Sequence, residues 1–165
     1  MNRRAFLFSG AGLAAVGAYS MLKPVGSTAL AGEGGFEIAY TEEEWRAKLT
    51  PEQFAVLRQE ATERPFTSPL LYEKRTGDYH CAGCDLLLYA SETKYDSRTG
   101  WPSFYDAHEN AVRTKRDFKL FLPRTEVHCR RCGGHLGHVF NDGPPPTGLR
   151  HCINGVALTF RERTA

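Results

Sequence analysis

The sequence predicts one mostly antiparallel β domain opened by two short helices. Three observations carry this: two helix-capping signatures between Thr41 and Gln53, a change after Leu70 to short apolar runs broken by Gly, Pro and Asp, and two Cys-x-x-Cys pairs able to clamp distant hairpins. The chain has 165 residues; without its first 31 it keeps 134, enough for one core and too few for a second domain.

The first element is a leader. Asn2-Arg3-Arg4-Ala5-Phe6-Leu7 is a twin-arginine pattern, followed by a weakly apolar run from Ala5 to Leu22 and by Ala29-Leu30-Ala31, a small-x-small cleavage site. Residues 1–31 are expected to be a signal peptide and the mature chain to begin near Gly32. Gly10, Gly12, Gly17 and Ser20 interrupt the run and make it a poor permanent span, so the alternative is a membrane anchor facing the periplasm. A twin-arginine route carries folded proteins, which would allow metal loading before the chain meets an oxidising periplasm. Asn2 stands where Ser or Thr is commoner, which leaves the general secretory route open. Arg3, Arg4 and Lys23 belong to the leader, so its removal takes the net charge from +2 to −1. That balance gives no electrostatic footprint for nucleic acid, and a membrane is met only during export.

Residues 32–40 read as a flexible linker and residues 41–165 as the domain. Thr41 with Glu44, and Thr50 with Gln53 behind Pro51, are capping boxes that start two helices. Trp45 with Leu49, and Phe54 with Leu57, place apolar side chains on one face of each helix. Further on, Phe118 to Leu122 and Val156 to Phe160 read as strands, with Val156, Leu158 and Phe160 on one face.

Five cysteines divide into four and one. Cys81 with Cys84, and Cys129 with Cys132, are each separated by two residues, and 44 residues lie between the pairs. A two-residue gap lets both sulfurs of a turn reach one ion at about 2.3 Å, and two such turns close a tetrahedral shell without water. Gly83, Gly133 and Gly134 supply the tight turns. The predicted group is one structural zinc; in an exported protein the competing reading is two disulfides. Cys152 has no thiol partner left. It is either a buried, inert cysteine or a nucleophile, and the charge of Arg150 and His151, with His135 and His138 elsewhere in the chain, favours a reactive thiolate.

Arg150-His151-Cys152-Ile153-Asn154, Gly134-His135-Leu136-Gly137-His138-Val139-Phe140 and Gly100-Trp101-Pro102-Ser103-Phe104 occur in the order and with the cysteine pairs of a known family. From about Thr41 to Phe160 the chain resembles the B-type peptide methionine sulfoxide reductases, which act on the R epimer. The resemblance implies two twisted antiparallel sheets with a peripheral zinc. It implies Cys152 as nucleophile, His138 as acid assisted by His135, and Asn154 bonding an imidazole or the substrate oxygen. Trp101 and Phe140 would wall a pocket for the S-methyl group, with Arg150 a further substrate contact. His80, His108 and His128 match no catalytic position and are expected at the surface.

The implied partners are oxidised proteins and peptides, as in repair after oxidative stress, and a thiol reductant. Many members carry a resolving cysteine just before the Gly-Trp-Pro-Ser-Phe run, where this chain has Thr99. The sulfenic acid on Cys152 would then be reduced directly by a small thiol or thioredoxin-like partner. Two rivals of other classes stay open. A zinc-clamped β domain that binds peptides without catalysis would have no need of Cys152, both histidines and Asn154 together. A periplasmic thiol oxidase or disulfide exchanger would need a paired redox cysteine.

Overall fold

A computed structural model describes residues 35–119 and 123–164. The leader expectation for residues 1–31 lies outside them. Among the described residues two helices, α1 (Glu42–Lys48) and α2 (Pro51–Gln59), precede nine strands. These are β1 (Gly77–Cys81), β2 (Leu87–Ala90), β3 (Lys94–Tyr95), β4 (Ser103–Phe104), β5 (Val112–Asp117), β6 (Arg124–Cys129), β7 (His135–Phe140), β8 (Arg150–Ile153) and β9 (Leu158–Glu162). They form two antiparallel sheets, β2-β1-β9 and β3-β4-β8-β7-β6-β5, so the mainly β expectation holds. Among the described residues no helix is long and apolar enough to cross a membrane.

Both predicted capping boxes form. The Thr41 and Thr50 hydroxyls accept from the amides of Glu44 and Gln53, whose side chains reach back to the cap amides. Each cap satisfies amides that the helix cannot, worth about 1 kcal/mol. Trp45, Leu49, Phe54 and Leu57 are buried as expected. Between the sheets lies an aromatic cluster, in which Tyr89 stacks on Phe104 at 4.4 Å and Tyr79 meets Phe104 and Phe160 at 5.0 and 5.1 Å. Three of these rings come from the small sheet and Phe104 from the large one, so the cluster locks the layers together.

Four expectations are corrected. Residues 36–40, assigned to the linker, dock on the domain: the Ile38 amide donates to the Arg131 carbonyl at 3.0 Å and Tyr40 packs edge-on against Trp45. The strand expected from Phe118 lies earlier and ends at Asp117, whose carboxylate takes the Lys119 amide and turns the chain; residues 120–122 fall outside those described. Val156 sits in a 3-10 turn over Gly155–Ala157, because the Gly155 and Val156 amides donate to the Glu63 carboxylate; the strand starts at Leu158. His128 is buried rather than at the surface, covered by an edge-on contact with Phe36.

Candidate active site and cysteine cage

The large sheet sets its chemistry in a row. Register pairs Cys152 with His138 on one side and with Ser103 on the other, and pairs His138 with Glu126 and Glu126 with Lys115. Directly opposed residues in antiparallel strands project to the same face. Lys115, Glu126, His138, Cys152 and Ser103 therefore line one face across five adjacent strands.

His135 lies three residues before His138 and would face the other way in a regular strand. A bulge corrects the phase. Val127 pairs with Gly137 and His128 with His135, so Leu136 is the extra residue on β7. The two imidazoles consequently meet edge to face at 5.5 Å. Gly137 between them is demanded by space: a Cβ there would stand 2.1 Å from the Cys152 carbonyl oxygen.

Each imidazole is held by a carboxylate. His135 Nδ1 is 2.9 Å from Glu126, which is buried and also takes Lys115 at 2.9 Å. Burial pushes the Glu126 carboxyl up, but the hydrogen bonds from His135 and Lys115 outweigh it and hold the group below its ordinary value. His138 Nε2 lies 2.7 Å from Asp117, which is bridged to Arg124 at the same distance. The Lys119 amide, His138 and Arg124 hold the Asp117 carboxyl well below the usual carboxylate range. For His138, burial lowers the imidazole and Asp117 raises it only in part.

Cys152 opens into a pocket of about 120 Å³ lined by Thr62, Trp101, Arg124, His138, Phe140 and Asn154. Its sulfur is 3.8 Å from the Thr99 hydroxyl, which bonds Ser97 at 2.8 Å, and Ser97 bonds Ser103 at 2.7 Å. The Trp101 indole N–H donates to the Glu63 carbonyl at 2.9 Å, fixing the ring as a pocket wall. Phe140 also lines the pocket, with the Arg150 guanidinium 4.3 Å from its ring centre.

Three expected roles shift. Asn154 lines the pocket but bonds neither imidazole: its amide nitrogen donates to the Leu136 carbonyl and its oxygen accepts from the Glu63 amide, both at 2.9 Å. It thereby fixes the bulge and the pocket rim. Arg150 is held in a two-pronged pair with Asp142 at 2.8 and 2.9 Å, so it braces Phe140 and does not line the pocket. His151 alternates to the opposite face, where it is buried at 3.2 Å from the Tyr89 hydroxyl and faces away from Cys152; burial pushes its imidazole down.

Four residues escaped the sequence reading: Glu63, Asp117, Arg124 and Glu126. Glu63 is a hub, since its amide, carbonyl and carboxylate hold Asn154, Trp101 and the Gly155 turn respectively. Arg124 lines the pocket, and among the described residues its buried Nε has no partner. None of the four lies beside a motif. The alternating Arg124-Thr125-Glu126-Val127 run is the sole hint that charge could face a site.

The other four cysteines meet at the far ends of two hairpins. Their sulfurs all lie within 4.8 Å of one another, with Cys81–Cys132 at 3.7 Å and Cys84–Cys129 at 3.5 Å. Four sulfurs about 2.3 Å from one ion stand about 3.8 Å apart, whereas disulfide sulfurs would be about 2 Å apart. All five cysteines are free thiols, so the disulfide reading fails and the donor set fits one tetrahedral ion. The two turns are built alike: the Asp85 amide donates to the Cys81 carbonyl and the Gly133 amide to the Cys129 carbonyl, with Asp85 and Gly133 both left-handed. Trp45 and Leu57 approach Gly83, tying the helices to the cage. The second turn feeds directly into His135, so the cage sets where β7 begins.

Comparisons with known proteins agree with this geometry. The SelR domain matches residues 49–162. The peptide methionine sulfoxide reductase MsrB of Methanosarcina barkeri is 57% identical over 122 residues, which is 73% of this chain and 86% of that protein. The MsrB proteins of Pseudomonas putida and Leifsonia xyli are 56% and 53% identical, covering 77% and 79% of this chain and 96% of each relative. The match spans the cage, the bulged strand β7 and the strand that carries Cys152, and on it the chain belongs to the MsrB family, whose mark is the SelR domain.

Proposed function

We propose that this chain reduces methionine-R-sulfoxide in peptides and proteins to methionine, with Cys152 as nucleophile. The observation that carries the reading is the cross-strand placement of Cys152 beside His138 in a pocket also lined by Trp101 and Phe140. The Cys152 thiolate attacks the sulfoxide sulfur while the S-methyl group lies against Trp101. With His138 Nε2 engaged by Asp117, the remaining N–H of its imidazolium, at Nδ1, gives a proton to the oxygen. Arg124 also lines the pocket, its guanidinium tied to Asp117. The S–O bond breaks, methionine leaves, and the oxygen ends on Cys152 as a sulfenic acid: one thiol and one sulfoxide become one sulfenic acid and one thioether. Thr99 cannot form a disulfide, so two equivalents of an external thiol return Cys152 to the thiol, releasing water and an external disulfide.

The cysteine cage is read as holding one zinc. Its closed four-thiolate shell leaves no open position, so the ion would supply folding energy and no catalytic water. The twin-arginine-like leader supports export to the periplasm, where surface methionines are exposed to oxidants. The pairing of a lone pocket thiol with two carboxylate-held imidazoles favours the enzyme over a peptide-binding module. An epimer-resolved assay of a blocked methionine sulfoxide with a small dithiol tests this: consumption of the R epimer alone is expected, and a folded protein that consumes neither epimer overturns it.

The Asp117–His138 pair makes a pH prediction. Asp117 raises the imidazole, so Asp117→Asn lowers it further. A proton donor with a lower pKa is lost at lower pH, so the basic limb of kcat/KM is expected to move toward acid. A pH–rate profile in which that limb stays in place would remove His138 from the acid role.

A further inference from the structure

The catalytic pocket has room for the methylsulfinyl end of a side chain and little else, so the polypeptide bearing it must lie across the rim. Next to the pocket runs a groove of about 420 Å³ between α2 and the segment that follows it. Its exposed surface is chiefly apolar, contributed in part by Ala55, Val56, Ala61 and Val156, with Glu52 and Arg64 among its polar members. Exposed Thr62 lines the pocket and the groove alike and forms the ridge that they share.

The two cavities are coupled through Glu63, which lines the groove. Its carbonyl holds Trp101, the pocket wall, and its carboxylate accepts from the amide of Val156, a groove wall, at 3.4 Å. A mainly apolar groove beside a reactive pocket, sharing with it a single exposed threonine, has the form of a second subsite.

We infer that this groove binds an apolar side chain flanking the oxidised methionine in a polypeptide substrate, so that the protein prefers methionine sulfoxide next to leucine- or phenylalanine-like residues. The inference rests on the reductase reading and adds a substrate class to it. The charged rim leaves room for the peptide backbone to stay hydrated while one side chain is buried. Filling such a groove is worth roughly tenfold in kcat/KM, the usual scale for one apolar group in a pocket.

The test compares zinc-replete protein on three substrates: a blocked single methionine R-sulfoxide, and short blocked peptides with the same residue flanked by leucine or by glycine, on either side. Leucine on at least one side should raise kcat/KM about tenfold over glycine. In Ala55→Trp, which fills the groove from α2, that advantage should disappear while turnover of the blocked single residue stays as in the wild type. Ala55→Ser, which leaves the groove open, should keep the advantage. Equal rates for leucine and glycine peptides with normal turnover of the single residue would overturn the subsite and leave the reductase reading standing. No turnover of the single residue by wild type would overturn the reductase reading itself. A concentration-dependent dimer abolished by Ala55→Trp would show that a second copy fills the groove, and would likewise overturn the subsite.

Discussion

Cys152→Ser is expected to lose methionine sulfoxide reduction on the order of 10⁴-fold or more while leaving the fold intact, since removing a nucleophile forfeits the whole covalent route. The sulfur stands between β7 and β4 in a half-buried position, and serine is the closest isostere. Little packing is lost, so thermal unfolding and bound metal should be unchanged within error. Activity within tenfold of wild type would move the nucleophile elsewhere. The cage sulfurs are the remaining thiols, and a role for one of them would appear as metal released during turnover. Substitution at Thr99 serves as the contrast: Thr99→Val removes the hydroxyl 3.8 Å from the sulfur without touching it, and should slow the reaction far less than loss of Cys152.

Removing the zinc proposed for the cage has the second large expected effect. A four-thiolate zinc site supplies on the order of 10 kcal/mol to folding, and a domain of this size is stable by about 5–15 kcal/mol in total. The two magnitudes are comparable, so the apo protein should be largely unfolded. The hairpins joined by the cage belong to different sheets, β1–β2 to the small one and β6–β7 to the large one, and both helices lean on the turns. A strong chelator, or Cys84→Ser, is therefore expected to remove one equivalent of zinc together with the cooperative thermal transition, followed by circular dichroism. A metal-free protein that keeps a wild-type transition would make the cage incidental. Because the second turn leads into His135, partial loss of the metal should reach the active site before it reaches the distant edge of the small sheet.

What the sequence made legible follows physical range. Capping boxes act within four residues, so Thr41, Thr50 and both helices could be read directly, as could the burial of Trp45 and Leu57. Cysteine spacing is local within each pair, and the meeting of the pairs follows from ligand chemistry. The roles assigned to Cys152, His138, His135 and Trp101 came from family resemblance, and the structure brings these residues together.

The errors arise where pairing across strands decides the outcome. Arg150 and His151 adjoin Cys152 in sequence, yet strand alternation turns His151 into the core and Asp142 takes up Arg150. Asn154 has an ordinary polar side chain until β7 bulges and presents the Leu136 carbonyl to it. Glu126, Asp117 and Arg124 became visible only once the β5–β6–β7 register was known, because nothing in their own neighbourhood marks them. Val156 lost its strand to a glutamate 93 residues away, an interaction beyond any local pattern.

In the proposed reaction one lone cysteine does the chemistry and is left as a sulfenic acid with no internal partner. The most direct measurement adds one equivalent of blocked methionine R-sulfoxide to the zinc-loaded protein without reductant, quenches with a sulfenic-acid-specific trap, and maps the adduct by mass spectrometry. One equivalent of methionine, one trapped oxygen adduct on Cys152 and retained zinc are expected. A disulfide from Cys152 to Cys81, Cys84, Cys129 or Cys132, with release of the ion, would contradict it.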